Sequence, residues 1–209
     1  DEARRLVTQA DGLRHVVQRA DKGSGGYLRI GFITSSVFTE THKIYSKLSR
    51  GMPGVTAMWQ EMNSSEQLEA LREDKIDIAF LHTPVAHDEG LAMRMTVRDP
   101  MMVAIPGSHL AAGRGSVALS ALKGDDFVLP LRPMSPVFYD STIAACRGAG
   151  FSPVIAPHQP RNLLTILSLV SVGAGVSVVP RSLATASFPG VRIIRIRGEG
   201  PIAEVSALW

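Results

Sequence analysis

The stretch LRIGFITSSVF, Leu28 to Phe38, decides the fold that we predict for this chain. Its first half is apolar enough for a buried strand, and Thr34, Ser35 and Ser36 then end it with small hydroxyl residues suited to capping a helix. The next residues recur at three- and four-residue spacing on one helical face: Val37, Phe38, Thr41, Ile44, Tyr45 and Leu48. A strand that feeds directly into a helix presents unpaired N–H groups at the positive end of the helix dipole, which favours a small carboxylate ligand. Plain strand-to-helix capping explains the same residues without a ligand.

Two further strand ends repeat this arrangement. Residues 55–62 predict a second strand that ends at Asn63-Ser64-Ser65, with capping-box spacing from Ser64 to Gln67. Residues 76–81 predict a third strand that ends at His82-Thr83-Pro84. The carboxyl ends of parallel strands meet at the ligand-bearing edge of an α/β sheet. We therefore expect these polar side chains to converge: Ser35, Ser36, Asn63, Ser64, His82 and Thr83.

The middle of the chain continues to alternate strands and helices. We predict an antiparallel pair, Leu91 to Val97 and Met101 to Ile105, joined around Asp99-Pro100. Ser135-Pro136 predicts a helix start, because serine is a favoured N-cap and proline fits the first helical position. Further strands are expected at 127–129, 154–155, 176–179, 191–196 and 203–208, and an apolar helix at 163–172. The repetition predicts a second α/β lobe.

An amphipathic segment precedes this globular part. Its apolar residues alternate spacings of four and three, which is typical of a heptad seam: Leu6, Ala10, Leu13, Val17 and Ala20. Such a seam packs either against the same helix of a second chain or onto its own domain, and both interpretations stay open. Residues 21–26 then break the helix and predict a hinge.

Composition excludes several classes of protein. A chain of 209 residues, 45% hydrophobic, buries a good core, and a net charge of +3 without a dense Lys/Arg block does not predict a nucleic-acid groove. The single cysteine, Cys146, excludes an internal disulfide and fits a reducing compartment. No apolar run approaches the length of a membrane span, and the N-terminus is charged rather than signal-like. We expect a cytoplasmic protein without a membrane partner.

Three motifs, in this order, resemble the effector-binding domain of LysR-type transcriptional regulators. They are GGYLRIGFITSS at Gly25–Ser36, LEALREDKIDIAFL at Leu68–Leu81 and LSLVSVGAGVSVVP at Leu167–Pro180. The resemblance implies an α/β fold with two Rossmann-like lobes of the periplasmic-binding-protein type II plan, preceded by a linker and dimerisation helix over 1–22. It divides the effector-binding domain, 27–209, into lobe I at about 27–103 and 181–209, and lobe II at about 104–180.

The resemblance also implies a function. The domain would bind a small carboxylate or aromatic effector between its lobes and control DNA binding by a winged helix-turn-helix domain absent from this sequence. It would act as a homodimer or homotetramer, need no cofactor and catalyse nothing. The candidate effector-binding residues, from the strand ends and from positions that match the family, are Thr34, Ser35, Ser36, Val37, Asn63, Ser64, His82, Thr83, Pro136, Val137 and Phe138. No arginine matches, so we expect neutral hydrogen-bond capture.

Three alternatives remain. A periplasmic solute-binding protein for a small organic anion shares the two-lobe plan, and processing would have removed its signal segment. An enzyme would need a triad such as Ser35, His82 and Asp77, yet no nucleophile elbow surrounds any serine. A metal site has candidate ligands without a firm ligand spacing: His82, His87, Asp88 and Glu89.

Overall fold

The computed structural model describes residues 26–39, 41–51, 54–85 and 90–209 of the chain. The predicted linker helix, residues 1–22, and most of the hinge after it lie outside the described residues. So do His87, Asp88 and Glu89, three of the four residues considered for a metal site.

A parallel sheet forms the first part of the molecule. Strand β1, Tyr27–Phe32, pairs in parallel with β2, Thr56–Glu61, on one side and with β3, Ile78–Thr83, on the other. Helices α1, Thr41–Gly51, and α2, Ser64–Arg72, connect these strands in turn. The three predicted strands are confirmed, and because they are parallel they all end at the same edge of the sheet.

The predicted passage from the first strand directly into a helix is wrong. A 3-10 helix, Thr34–Phe38, intervenes, and α1 begins only at Thr41. The backbone N–H of Ser36 donates to the carbonyl of Ile33 at 2.9 Å, and the apolar side chain of Ile33, the N-cap residue, makes no capping bond. Hydroxyl and β-branched residues disfavour regular α-helix, which explains the tighter turn here.

The remaining elements follow in chain order. They are β4 (Met93–Pro106), β5 (Ser116–Val117), β6 (Asp126–Phe127), α3 (Pro136–Gly148), β7 (Val154–Ile155), α4 (Leu163–Ser171), β8 (Ser177–Pro180), β9 (Val191–Ile196) and β10 (Ile202–Leu208), with 3-10 helices at Leu119–Leu122 and Arg181–Ala186. The main sheet has the order β2-β1-β3-β10-β4-β9-β5, with β8 also on β4, and β6 pairs with β7 separately.

The predicted antiparallel pair around Asp99-Pro100 is also wrong. Residues 93–106 form one strand of 14 residues that continues through Pro100. Up to Pro100, β4 pairs with β10; from Met101 onward it pairs with β8 and β9. Proline has no N–H to donate, so it is tolerated where the strand changes partners. Strand β4 is therefore a crossing element that links two halves of the molecule.

Each half has its own hydrophobic core. Buried residues between Ile30 and Leu81, together with Val205 and Leu208, form the first cluster, and those between Met101 and Ile194 form the second. The lobe division implied by the resemblance differs at one point: β9 pairs with the second half of β4 and with β5, and its Ile194 lies in the second cluster. Only β10 returns to the first sheet, where it pairs with β3.

The glycine turn between α4 and β8 brings backbone very close to β6. Gly175 has φ +147°, and a Cβ built on it would lie 2.4 Å from the carbonyl oxygen of Asp126. Only glycine fits such an approach. The approach lets the Val128 N–H donate to the Val176 carbonyl and the Val176 N–H to the Asp126 carbonyl, both at 2.8 Å.

The structure also bears on the predicted role of Cys146 and on membrane-spanning helices. Cys146 is buried in α3, and burial raises the pKa of its thiol to about 11, so it is a packing residue rather than a nucleophile at neutral pH. In the described ranges, no helix is both long and apolar enough to cross a membrane.

Candidate functional site

A cleft of about 240 Å³ lies between the two halves of the molecule. Its volume lies a little below the roughly 300–1,000 Å³ typical of small-molecule sites. The first half contributes Ile33, Thr34, Ser35, Glu61, Met62, Asn63, Ser64, Glu66 and His82. The second half contributes Pro130, Met134, Ser135, Phe138, Arg161, Asn162, Leu163 and Ile166. The first set lies at the ends of β1, β2 and β3, where parallel sheets place ligands.

Two buried serines in this lining have hydroxyls without a partner. Ser35 is 3% exposed and Ser64 is 6% exposed, and neither Oγ has a hydrogen-bond partner among the described residues. A buried polar group left unpaired costs about 1–3 kcal/mol. Both hydroxyls can donate and accept, so a polar ligand in the cleft would satisfy them.

Three α-helices begin at the cleft. Asn63 caps α2 by accepting from the Glu66 N–H at 3.0 Å, and Asn162 caps α4 by accepting from the Thr165 N–H at 2.9 Å. Ser135 is the N-cap of α3, and its side chain makes no capping bond. The positive ends of three helix dipoles therefore surround the cleft, and the start of α3 retains uncapped N–H groups. This arrangement suits an anion.

The charged side chains of the cleft are already engaged with the protein. Arg161 Nη2 donates to Glu66 Oε1 at 3.1 Å, and Glu66 Oε2 accepts from the Asn63 N–H at 3.0 Å. The Thr34 hydroxyl donates to Glu61 Oε1 at 2.5 Å. Since the arginine is paired, an entering carboxylate meets neutral donors first, unless it displaces Glu66.

His82 is a neutral wall of the cleft. Its side chain is hydrogen-bonded to the backbone carbonyl of Glu204, and its ring lies 5.8 Å from that of Phe138 across the cleft. Burial lowers the pKa of His82 to about 4, an effect only partly opposed by the Glu204 carbonyl and by the charge of Asp99. The imidazole is therefore uncharged at neutral pH.

Two polar contacts bridge the halves at the rim of the cleft. The first is the Glu66–Arg161 ion pair, and the second is a hydrogen bond from Ser65 Oγ to the Pro133 carbonyl at 2.7 Å. Both join the N-terminal turn of α2 to loops of the second half. Arg161 is 72% exposed in its side chain, so the ion pair is weak in water and easily exchanged.

The structure places six of the predicted site residues in the lining: Thr34, Ser35, Asn63, Ser64, His82 and Phe138. The others lie outside it. Ser36 is fully buried, Val37 is 56% exposed, and the Thr83 hydroxyl shares a hydrogen bond of 2.9 Å with Ser206 Oγ. Pro136 and Val137 form the first turn of α3 next to the lining residue Ser135. Contact of any of these residues with an effector stays a prediction.

Several lining residues were not predicted from the sequence, above all Glu66, Arg161 and Asn162. A local signal existed for two of them. The capping box is formed by Asn63 and Glu66 rather than by Ser64 and Gln67, a shift of one residue. Asn162, three residues before Thr165, has the spacing of an N-cap. Arg161 gave no signal, because its partner lies 95 residues away.

Among the residues that it describes, the structure does not bring together those of the two alternative sites, the catalytic triad and the metal site. Asp77 is held by Arg29, whose Nη2 donates to Asp77 Oδ1 at 2.6 Å and whose N–H donates to Oδ2 at 2.7 Å, while His82 is bonded to Glu204. No triad with Ser35 forms. Within the part of the chain that the structure describes, no three His, Cys, Asp or Glu residues are grouped to hold a metal ion. Arg132, a loop residue of the second half, does not line the cleft and donates to Asp140 through two bonds of 2.7 Å.

Comparisons with known proteins agree with this architecture. Residues 21–209 match the family model described as the LysR substrate binding domain. The chain is 30% identical over 209 residues, its full length and 70% of the relative, to the uncharacterised HTH-type transcriptional regulator YnfL of Escherichia coli. Its fold is similar to that of the BenM effector binding domain with its effector benzoate (TM-score 0.73, 24% identity, 87% of this chain and 82% of that chain). It is also similar to full-length CbnR in complex with target DNA (TM-score 0.83, 23% identity, 100% and 72%).

Proposed function

The chain belongs to the LysR substrate-binding domain family, and from this membership we propose that its cleft binds a small organic acid as the effector of a transcriptional regulator. The family is one of transcriptional regulators and not of enzymes, and it does not favour a periplasmic solute-binding protein. In the full-length protein, the effector would control DNA binding by a helix-turn-helix domain.

The observation that carries this proposal is the pair of unpartnered hydroxyls, Ser35 and Ser64, in the lining of the cleft. They lie at the ends of adjacent parallel strands, beside the N-terminus of α2 and opposite the uncapped N-terminus of α3. A carboxylate has up to four acceptor sites and would satisfy both hydroxyls together with helix N–H groups. Phe138 and Met134 offer an apolar surface to the rest of the molecule.

Control of DNA binding would follow from lobe geometry. An effector that contacts both halves binds best to one arrangement of them and shifts the population toward it. The halves are joined by the continuous strand β4, so a change on one side of the cleft is transmitted through a defined crossing point. In a homodimer or homotetramer this change would alter the spacing of the DNA-binding domains.

We include in the same proposal the assembly into a homodimer or homotetramer, the location in the cytoplasm and the boundaries of the two lobes. Full-length CbnR has been solved with its target DNA, and a regulator of that kind acts in the cytoplasm, where the DNA is. The pairing of strands supports a first lobe built on β1, β2, β3 and β10, and a second built on the part of the chain from Met101 to about residue 197.

Isothermal titration with small organic acids, benzoate among them, tests the proposal. We expect at least one acid to bind, and Ser35→Ala and Ser64→Ala each to weaken binding by tenfold or more, since each removes a hydrogen bond to a charged group worth about 1.5–3 kcal/mol. The matched control is Ser108→Ala, an exposed position outside the lining.

The same variants separate a binding role from a structural one. Removing an unpartnered buried hydroxyl should leave the free energy of unfolding of the ligand-free protein unchanged or raise it by about 1 kcal/mol. Unfolded variants, or an acid that binds wild type and both variants equally, would contradict the proposed site.

A further inference from the structure

The cleft contains groups that can only accept hydrogen bonds. Glu61, at the end of β2, receives the Thr34 hydroxyl on Oε1, and no bond to its Oε2 occurs among the described residues. His82 is neutral, and its single ring N–H donates to the Glu204 carbonyl, so its other ring nitrogen carries a lone pair. Both residues line the cleft.

Glu66 shows the contrast with Glu61. Its Oε1 accepts from Arg161 and its Oε2 accepts from the Asn63 N–H, so its charge is balanced and its acceptor sites are in use. Among the described residues, the neutral hydroxyl of Thr34 is the only partner of Glu61. One carboxylate of the cleft is therefore compensated and the other is not.

An effector with only a carboxylate fits this set of groups incompletely. Its oxygens would satisfy the hydroxyls of Ser35 and Ser64 and the start of α3, all of which can donate. The same molecule has nothing to donate to Glu61 or His82, and its negative charge lies near that of Glu61. Glu61 is exposed, so water reaches its free Oε2, but the two negative charges still repel each other. The lone pair of His82, a buried residue, would be left unpaired, which also weakens binding.

Resting on the proposed function, we infer that the effector is a hydroxy acid or an amino acid: a small acid that also carries a hydroxyl or ammonium group, which donates to Glu61 at the mouth of the cleft. His82 is a second acceptor for the same class of donor. The ammonium group would also give the carboxylate of Glu61 a positively charged partner. An acid that instead displaces Glu66 from Arg161 would not need such a donor, and it would bind at least as tightly as its donor-bearing derivatives.

Titration calorimetry with two matched series provides the test. The first series is propionate, lactate and alanine, and the second is benzoate, 3-hydroxybenzoate and 4-hydroxybenzoate. In at least one series we expect a donor-bearing acid to bind about tenfold more tightly than its parent, as one added hydrogen bond to a charged group allows. The variant Glu61→Gln keeps one acceptor oxygen but removes the charge, so it should reduce the advantage of an ammonium group more than that of a hydroxyl. Glu69→Gln, an exposed residue of α2 outside the lining with the same change in charge, should preserve wild-type selectivity.

Each outcome decides between the hypotheses. The inference is supported if the donor-bearing acid binds more tightly than its parent, and if this ratio of affinities is smaller in Glu61→Gln and unchanged in Glu69→Gln. Equal or tighter binding of the parent acid, or selectivity unchanged by Glu61→Gln, overturns the inference while the proposed acid-binding function stands. If no member of either series binds the folded protein, the inference fails together with the proposed function.

Discussion

His82 is a titratable side chain that the fold keeps from water, at 6% exposure, against Phe138. Burial lowers its pKa from 6.5 to about 4, so the folded protein binds fewer protons than the unfolded chain between these values. Stability is therefore complete above about pH 6.5 and falls as the pH drops toward 4. The loss from this residue is about 3 kcal/mol, because a tenfold change in a protonation constant corresponds to roughly 1.4 kcal/mol.

Urea unfolding of wild type and His82→Gln between pH 4.5 and 7.5 measures this dependence. The wild-type free energy of unfolding should fall more steeply with decreasing pH than that of His82→Gln. His158→Gln, at an exposed position, should retain the wild-type dependence. Parallel curves for wild type and His82→Gln would show that His82 titrates normally in the folded protein.

Local sequence predicts single residues where the chemistry is local. Ser35, Asn63 and Ser64 could be predicted, because small polar residues directly after buried strands mark the ligand edge of a parallel sheet. Arg161 could not, because its position in the cleft depends on packing of the second half and on a partner 95 residues away. The sequence predicts a site without arginine, whereas the structure places the guanidinium of Arg161 in the cleft. There it is ion-paired with Glu66.

At the scale of elements, the glycine turn after α4 is the position most sensitive to substitution. Gly175→Ala places a Cβ 2.4 Å from the Asp126 carbonyl oxygen at φ +147°, so backbone must move. We expect a loss of roughly 3 kcal/mol or more in the free energy of unfolding, measured by urea denaturation.

Gly148→Ala is the matched control, because Gly148 is the last residue of α3 and an added Cβ would meet no atom within 4 Å. Its stability should be unchanged or higher by up to about 1 kcal/mol, through reduced entropy of the unfolded chain. A similar, small effect for both variants would mean that the close approach of the turn to β6 does not exist in solution.

Elements were predictable where periodicity alone determines them. The apolar runs at β1, β3 and α4 gave the right type of element within a residue or two. The 3-10 helix Thr34–Phe38 and the unbroken strand β4 were not predicted, because hydroxyl-rich and proline-containing segments follow their tertiary partners. Pro100 is normally a strand breaker, but here it lies where β4 exchanges β10 for β8 and β9.

At the scale of the whole molecule, the two halves, each with its own hydrophobic core, lie on opposite sides of the cleft. Strand β4 and the return into β10 connect them, and the contacts of α2 with Pro133 and Arg161 bridge them at the rim. The rim contacts are few and exposed, so ligand contacts inside the cleft are able to decide between lobe arrangements. The two-lobe plan followed from the resemblance of three motifs, but the membership of β9 in the second half required knowledge of strand pairing.

Methionine methyl NMR reports where in the molecule an acid binds. Met62 and Met134 line the cleft from opposite halves, whereas Met58, Met93 and Met95 are about half exposed elsewhere. On titration with the tightest-binding acid of the two series, we expect the methyl signals of Met62 and Met134 to shift in proportion to occupancy and the other three to stay in place. Ser64→Ala should suppress the shifts at the same acid concentration. Shifts confined to the exposed methionines, or binding that leaves Met62 and Met134 unchanged, would show that the cleft between the lobes is not the effector site.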